Sequence, residues 1–342
     1  MRAVILRQFG GPEVLLPGEA VLPIPAEDQV LVRVSACGVC GHDLLARAGA
    51  LHTPLPRVLG HEIAGVVIKV GGKVSALREG QRVALVQRIP CGRCNLCLRG
   101  ATNLCRSGAG FYGEDLDGGY GEYVVASERN AVPLPETISD TIGATLSCAV
   151  GTGLRALRRA DLDPGDLVIV TGAGGGVGLN TVKLAAAFDF RVLAVSGSAQ
   201  KKAELLEAGA ADVVPPGSPE ELRRVARAIS ESGGAAAVIE IAGAPTFSAS
   251  LAALAPRGRL VLVGNTEPRP VEMNPGAVIL RELQDLGSAH ATRSDLEEVI
   301  SLVVSGKISP TVGEVRPLDQ AAELHRSIEA REVTGRAVLV MG

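Results

Sequence analysis

Residues 166–198, "DLVIVTGAGGGVGLNTVKLAAAFDFRVLAVSGS", constrain the fold more than any other part of this 342-residue sequence. The run "LVIVT" is short, apolar and β-branched, which is typical of a buried parallel strand. Glycines follow it, then an apolar stretch compatible with a helix, and "RVLAVS" indicates a second strand. A strand, a glycine turn, a helix and a strand form the unit that seats a dinucleotide pyrophosphate at the helix N-terminus. We therefore predict an α/β fold with a doubly wound parallel sheet.

The glycine turn departs from the standard G-x-G-x-x-G spacing, because a motif beginning at Gly172 would end at Val177. The spacing that fits is G-x-x-G-x-x-G, on Gly172, Gly175 and Gly178. Glycines at such positions let the backbone approach a pyrophosphate closely. The sequence thus predicts a Rossmann-type cofactor-binding turn that also includes Gly176 and Val177.

Four of the seven cysteines lie in "CGRCNLCLRGATNLC", residues 91–105. The N-terminus does not resemble a signal peptide, so we expect a reducing cytoplasm, where clustered thiols more often bind metal than pair. A redox pair would leave two cysteines unused, and an iron–sulfur cluster is disfavoured because Arg106, not Pro, follows the last cysteine. The spacing C-x2-C-x2-C-x7-C predicts a closed structural zinc site. Its ligands would be Cys91, Cys94, Cys97 and Cys105.

A second set of candidate ligands is spread over "ACGVCGHDLL", "GHE" and "LSCAVGTGL", which supply Cys40, His61, Glu62 and Cys148. Two sulfurs, a nitrogen and an oxygen are the ligand set of a catalytic zinc that keeps one position for water or substrate. Spacing alone does not establish that these stretches converge, since a single Cys is usually a small buried hydrophobe. We interpret the neighbouring Cys37 in that way.

Taken in order, "GVCGHD", "GHE", the four-cysteine lobe, "GGYGEYV" at 118–124 and the glycine turn resemble the zinc-containing medium-chain dehydrogenase/reductase superfamily, alcohol dehydrogenase type. The resemblance runs from about Met1 to the terminal "GRAVLVMG". It implies a β-rich, GroES-like catalytic domain over 1–150, a Rossmann domain over 151–285, and a segment, 286–342, that returns to the first domain. It further implies an active site in the cleft between the domains.

The same resemblance implies roles for single residues. Cys40, His61 and Cys148 would hold the catalytic zinc, and Glu62 would be an outer partner or an alternate fourth ligand. The segment "GRLVLVGN" would run alongside the nicotinamide, and we expect its strand to end at Gly264. Arg336, in "TGRAVLV", would contact the pyrophosphate, with a surface salt bridge as the alternative.

Cofactor preference depends on the residue at the end of the second strand, where NAD-binding units have Asp or Glu on the ribose hydroxyls. The resemblance places Ser196 there. No carboxylate repels a 2′-phosphate at this position, and Ser196, Ser198 and Lys201 can bind one. We therefore expect NADP(H) to be preferred over NAD(H), although these could also be ordinary loop residues.

The chain departs from the resembled family at the proton relay. His42 stands where alcohol dehydrogenases usually have Ser or Thr, and Leu45 stands where many have His. One hypothesis is that His42 both contacts the substrate oxygen and passes the proton, since an imidazole titrates near neutral pH. The alternative is a packing role. The remaining histidines are predicted to be surface or packing residues: His52, His290 and His325.

These observations predict an oxidoreductase that transfers hydride between NADP(H) and an alcohol, aldehyde or ketone. The altered relay and the glycine spacing favour an alternative, a reductase of activated double bonds of the enoyl-CoA, acrylyl-CoA or quinone type. A non-catalytic nucleotide-binding protein is a third possibility. The net charge of −3, with Lys and Arg scattered, implies no nucleic-acid partner, and no apolar run is long enough for a membrane span. The resemblance implies a homodimer or homotetramer.

Overall fold

The computed structural model describes residues 1–342. It contains eighteen β-strands. In chain order they are β1 (Arg2–Leu6), β2 (Leu15–Glu19), β3 (Gln29–Val39), β4 (Arg57–Val58), β5 (Glu62–Val70), β6 (Arg82–Leu85), β7 (Arg88–Ile89), β8 (Gly110–Phe111), β9 (Tyr123–Ser127), β10 (Ala131–Pro133), β11 (Leu167–Val170), β12 (Arg191–Val195), β13 (Ala210–Val214), β14 (Ala235–Glu240), β15 (Leu254–Leu262), β16 (Gln284–Gly287), β17 (Val312–Pro317) and β18 (Arg336–Val340).

The α-helices number eleven, and a π-helical turn spans Leu146–Val150. The helices are α1 (Gly41–Arg47), α2 (Asn95–Leu98), α3 (Asp140–Thr145), α4 (Gly151–Ala160), α5 (Gly176–Ala187), α6 (Lys202–Glu207), α7 (Pro219–Ile229), α8 (Phe247–Ala253), α9 (Pro275–Arg281), α10 (Arg293–Val304) and α11 (Ala321–Glu329). None of the helices has the length and apolar character that crossing a membrane requires.

The first of two compact units comprises residues 1–151, 290–306 and 310–342. Its largest sheet has seven strands, in the order β10–β6–β5–β3–β18–β17, with β9 also paired to β3. Strand β18, near the end of the chain, pairs antiparallel with β3, and Ala337 lies opposite Val39. The last segment of the chain therefore completes the sheet of the N-terminal part.

The second unit comprises residues 152–289 and 307–309. Its six strands are all parallel, in the order β13–β12–β11–β14–β15–β16. The strand order reverses between β11 and β14, and in sheets of this kind ligands bind beyond the carboxyl ends of the strands at that point. The predicted doubly wound parallel sheet and the α/β fold class are confirmed.

The local structure of the second unit follows from its sequence. All four residues of β11 are buried, as expected for a continuous aliphatic run in a parallel sheet. The backbone then turns through Gly172, whose φ of +58° is a left-handed value that favours glycine. Gly175 caps α5, as the strand–turn–helix prediction requires. One boundary differs, because β15 ends at Leu262 and not at Gly264.

Candidate metal centres and cofactor site

Four predicted ligands from separate stretches of the chain converge in the first unit. Cys40 precedes α1, and Cys148 lies in the π-helical turn. His61 directly precedes β5, and Glu62 is the first residue of that strand. The ligand atoms of all four residues lie within 4.8 Å of one another. The Sγ atoms of Cys40 and Cys148 are 4.0 Å apart, close to the roughly 3.8 Å between two thiolates bound tetrahedrally to one zinc ion.

The Asp43 carboxylate fixes the orientation of His61. Oδ1 of Asp43 lies 3.2 Å from Nδ1 of His61 and accepts a hydrogen bond from the Gly60 amide, while Oδ2 accepts one from the Cys40 amide. Burial lowers the pKa of His61, but the Asp43 carboxylate, followed by the Cys40 sulfur, outweighs it, and the pKa lies well above its ordinary value. Metal-binding histidines commonly have such a carboxylate on the other ring nitrogen. Asp43 was not among the predicted site residues, although an acidic residue three positions after a helix N-cap is a recognisable signal.

Glu62 is completely buried, and neither of its carboxylate oxygens has a hydrogen-bond partner. Nη2 of Arg336 lies 3.1 Å from Oε1 of Glu62, an ion pair without hydrogen-bond geometry. Burial raises the pKa of Glu62 to about 7, against the lowering effect of Arg336. Arg336 thus forms a salt bridge that is buried and not on the surface, and its contact with a pyrophosphate stays a prediction.

The chemistry of this donor set fits a zinc ion. The two thiols influence each other strongly: their hydrogen bond holds the pKa of Cys40 well below its usual value and that of Cys148 well above it. A divalent cation would replace the shared thiol proton and would also face the Glu62 oxygens, which accept no hydrogen bond. Two sulfurs and one imidazole are the ligands of a three-coordinate protein site with one open position.

The other four-cysteine group also forms a compact cage. The Sγ atom of Cys94 lies 3.5 Å from that of Cys97 and 3.9 Å from that of Cys105, and Cys91 lies 3.9 Å from Cys97. The amides of Arg93 and Cys94 donate to the Cys91 sulfur, and they lower the pKa of that thiol to about 6. All seven cysteines are free of disulfides. The donor set fits a closed zinc site.

His42 lies beside the first of these centres. Its Nε2 is 2.6 Å from Oε1 of Glu114, and its ring centroid is 5.2 Å from that of His61 and 5.4 Å from that of Phe111. His290, predicted to be a surface or packing residue, packs 4.8 Å from the Phe111 ring and 6.5 Å from His42. The proximity of Glu114 and His290 to His42 was not predicted, because both residues are distant from His42 in the sequence. Of the other histidines, His52 is exposed and His325 is buried.

In the second unit, the glycine turn follows the carboxyl end of β11. A Cβ atom at Gly178 would lie 2.3 Å from the carbonyl oxygen of Gly172, so only glycine fits there. Gly175 is exposed at the start of α5, followed by buried Gly176 and half-buried Val177. The first-turn amides of this helix have no intrahelical acceptor, as in helices that bind anions at their N-terminus. Binding of a pyrophosphate at this turn stays a prediction.

The residues predicted to select the cofactor lie close to that turn. Ser196 directly follows β12, and the Ser198 amide donates to its Oγ at 3.3 Å. The Lys201 side chain is buried, and its Nζ donates to the carbonyl oxygen of Gly174 at 3.4 Å. Gly264 is also sterically restricted, because a Cβ atom there would lie 2.2 Å from the Ile241 carbonyl oxygen.

Two family models match the chain: the alcohol dehydrogenase GroES-like domain over residues 26–136 and the zinc-binding dehydrogenase model over residues 176–305. An acryloyl-coenzyme A reductase of Metallosphaera sedula is 32% identical over 319 residues, which is 93% of each chain. An NAD-dependent alcohol dehydrogenase of Sulfolobus acidocaldarius is 33% identical over 350 residues, 99% of each. The crystal structure of AibC has a TM-score of 0.92 and 40% identity, covering 100% of this chain and 96% of that one.

Proposed function

The chain belongs to the zinc-containing medium-chain dehydrogenase/reductase superfamily, and we propose that it transfers hydride between NADP(H) and an alcohol or carbonyl compound. It is an oxidoreductase of the zinc-binding dehydrogenase family, and the chemical identity of its substrate and cofactor is the proposed part. The observation that carries the proposal is the convergence of Cys40, His61 and Cys148 beside the Glu62 carboxylate, whose oxygens accept no hydrogen bond.

Cys40, His61 and Cys148 would hold the catalytic zinc, with Glu62 as an alternate ligand. When bound, zinc supplies a Lewis acid for the substrate oxygen, and the nicotinamide supplies or accepts the hydride. Asp43 holds the His61 ring so that Nε2 is the atom left for the metal. Arg336 offsets the charge of Glu62 when that carboxylate is not bound to a cation. The four-cysteine cage would hold a second, structural zinc.

His42 is the proposed partner of the substrate oxygen. Because the Glu114 carboxylate can only accept, Nε2 of His42 donates to it, and Nδ1 is left for a substrate. Glu114 lies in the connection between β8 and β9, three residues after Phe111. This pair would take the place of the usual hydroxyl-and-histidine relay, whose second member is Leu45 here.

NADP(H) is the proposed cofactor in preference to NAD(H). The support comes from Ser196 at the end of β12 and from Lys201, whose side chain extends to the glycine turn. A hydroxyl and an ammonium group at this position can bind a 2′-phosphate, whereas a carboxylate would repel it. A homodimer or homotetramer of the chain stays a prediction from the family resemblance.

A second candidate function is the reduction of an activated double bond. The observation that favours it is the similarity to acryloyl-coenzyme A reductases over 93% of the chain, at the same level of identity as to alcohol dehydrogenases. The altered relay supports it too, because hydride delivery to a double bond does not require a relay that moves a proton to or from a substrate hydroxyl.

One substrate that can be reduced in two ways separates these functions. The zinc-loaded protein is incubated with NADPH and an α,β-unsaturated aldehyde, and the product is identified by mass and NMR. The unsaturated alcohol is the expected product. The saturated aldehyde would assign the protein to the double-bond reductases, and no product with any of a panel of enals, enones and enoyl thioesters would contradict both functions. The Cys148→Ala variant, which lacks one proposed ligand, is the control for metal-dependent turnover.

A further inference from the structure

Glu240, the last residue of β14, is completely buried and has only neutral hydrogen-bond donors around it. Its Oε1 accepts hydrogen bonds from Oγ1 of Thr171 at 2.6 Å, Oγ1 of Thr246 at 2.7 Å and the Gly243 amide at 2.8 Å. Its Oε2 accepts one from the Ser250 hydroxyl. A buried carboxylate without a cationic partner carries a large desolvation cost, and an apolar residue often gives equal or greater stability. Packing alone therefore does not account for a Glu here.

The groups around Glu240 belong to segments that meet at one edge of the parallel sheet. Thr171 directly precedes Gly172 of the glycine turn, and its Oγ1 accepts hydrogen bonds from the amides of Ile241 and Ala242 at 2.9 and 3.3 Å. The hydroxyl that donates to Glu240 is thus also the acceptor for the loop that follows β14. Ser250, which donates to Oε2 of Glu240, lies in α8 and connects that helix to the same network.

The backbone extends this arrangement to the next strand. The carbonyl oxygen of Glu240 accepts hydrogen bonds from the amides of Val263 and Gly264 at 2.9 and 3.2 Å. Thr266 donates through its Oγ1 to the Ala242 carbonyl oxygen at 2.8 Å. Glu240, the last residue of β14, is therefore hydrogen-bonded to residues at the carboxyl ends of both β11 and β15. These ends border the point where the strand order reverses, at which a nucleotide binds in sheets of this kind.

We infer that Glu240 is a positioning residue for the nucleotide cofactor: it fixes the loop 241–246 against the start of the glycine turn, so that the binding edge is formed before the nucleotide arrives. The inference rests on the proposed function, because it takes the glycine turn as the cofactor site. Glu240 would act by preorganising the loop. A protein whose binding-competent arrangement is populated only part of the time binds its ligand with correspondingly lower apparent affinity.

The primary test measures the dissociation constant for NADPH by fluorescence titration without substrate. In Glu240→Gln, an amide NH2 replaces one acceptor and faces hydroxyl and amide donors, so loop 241–246 loses part of its anchoring. We expect the dissociation constant to rise about tenfold, which corresponds to a competent arrangement populated about a tenth of the time. Hydrogen exchange of residues 241–246 in the nucleotide-free protein should become faster.

A pair of substitutions at Thr171 tests the same connection without a change of charge. Thr171→Val has nearly the same shape but removes the hydroxyl, and it should weaken NADPH binding. Thr171→Ser keeps the hydroxyl and should bind as the wild type does. Should Glu240→Gln fail to fold, this pair still decides the question. Leu222→Ala, in a helix packed on the same sheet, is the control for stability alone, since Leu222 is buried in the core of this unit.

The outcomes are distinct. Weaker binding in Glu240→Gln and Thr171→Val, with wild-type affinity in Thr171→Ser and Leu222→Ala, supports the inference. Unchanged affinity in Glu240→Gln and Thr171→Val overturns it. An equal loss of affinity in Leu222→Ala also overturns it, because Glu240 would then act only through stability. If the wild type binds neither NADPH nor NADH, the proposed function fails first, and the inference fails with it.

Discussion

Oδ1 of Asp43 lies 3.2 Å from Nδ1 of His61, and both side chains are buried. The carboxylate fixes the ring so that Nε2 is the free nitrogen, and it increases the basicity of the imidazole as a ligand. Asp43→Asn should therefore lower zinc affinity about 10- to 100-fold, which is the usual effect of removing such a partner.

Chelator competition, followed by metal analysis of the protein, measures this change in zinc affinity. The matched control is Asp117→Asn, because the Asp117 carboxylate also accepts from a backbone amide, that of Val58, but is half exposed. The control should keep the wild-type affinity. Equal zinc affinity in Asp43→Asn and the wild type would show that Asp43 has no part in a metal centre.

His42→Ala should lower kcat about 100-fold, because the residue is the proposed contact of the substrate oxygen and general acid–base groups contribute at least this much. Zinc content should be unchanged, since His42 is not in the proposed ligand set. Glu114→Gln should show a smaller loss, because Nε2 of His42 keeps an acceptor but not a charged one. Steady-state kinetics with His52→Ala, an exposed histidine, is the control. Unchanged kcat in His42→Ala would leave only the packing role.

At about pH 9, above the pKa of about 7 that burial gives Glu62, Arg336→Met should destabilise the metal-free protein by about 3 kcal/mol, because it leaves the buried carboxylate without its cation. Adding Glu62→Gln to the same protein should restore most of the loss, since the unpaired charge is then removed. Urea unfolding with and without zinc measures both effects. If zinc binds next to Glu62 as proposed, it should reduce the penalty in the single variant. A penalty that is identical with and without zinc argues against Glu62 facing the metal.

The parts of the fold that could be predicted are those encoded within one short window. The β11–turn–α5–β12 unit follows from an aliphatic run, three glycines and a second aliphatic run. The four-cysteine cage follows from spacing alone, because a loop of fifteen residues can place all its sulfurs on one ion. The convergence of Cys40, His61 and Cys148 required the family resemblance, since these residues lie on separate elements.

The partners of the site residues could not be predicted, because they come from distant parts of the chain. Glu114 reaches His42 across 72 residues, and Arg336 reaches Glu62 because β18 returns to pair with β3. No hydrophobic periodicity or residue spacing within a short window indicates such a contact. Glu240 gave no signal either, since a Glu at the end of an apolar run usually marks the point where a strand reaches solvent.

Lys201→Met should weaken NADP(H) binding about 10- to 100-fold and leave NAD(H) binding nearly unchanged, because a hydrogen bond to a charged group contributes about 1.5–3 kcal/mol. Met keeps the apolar stem that packs against the glycine turn, where Lys201 Cδ would lie 2.7 Å from a Cβ atom at Gly174. The neighbouring Lys202 is exposed, so Lys202→Met is the control. Equal losses for both nucleotides would show that Lys201 supports the turn and does not select the phosphate.

His325 should make the stability of the protein sensitive to acid. Nδ1 of His325 lies 3.3 Å from Nη1 of Arg47, and its Nε2 lies 2.9 Å from the Tyr120 hydroxyl. Because the guanidinium can only donate, Nδ1 accepts, and the ring is neutral with its proton on Nε2. Burial lowers the pKa of His325 to about 4. The Asp43 carboxylate opposes this shift, and the Arg47 guanidinium adds to it.

In the unfolded chain this histidine has a pKa of about 6.5, so between about pH 6.5 and 4 the unfolded state binds more protons than the folded state. The contribution of neutral His325 to stability is therefore complete above about pH 6.5 and falls as the pH drops towards 4. The total loss is about 3 kcal/mol.

Urea unfolding of the wild type and of His325→Gln at several pH values measures this loss. The difference in unfolding free energy between the two proteins cancels the effects of other titrating groups. That difference should shrink as the pH is lowered, whereas the difference between the wild type and His52→Gln should stay constant. A pH-independent difference for His325→Gln would mean that the protonated ring is accommodated beside Arg47.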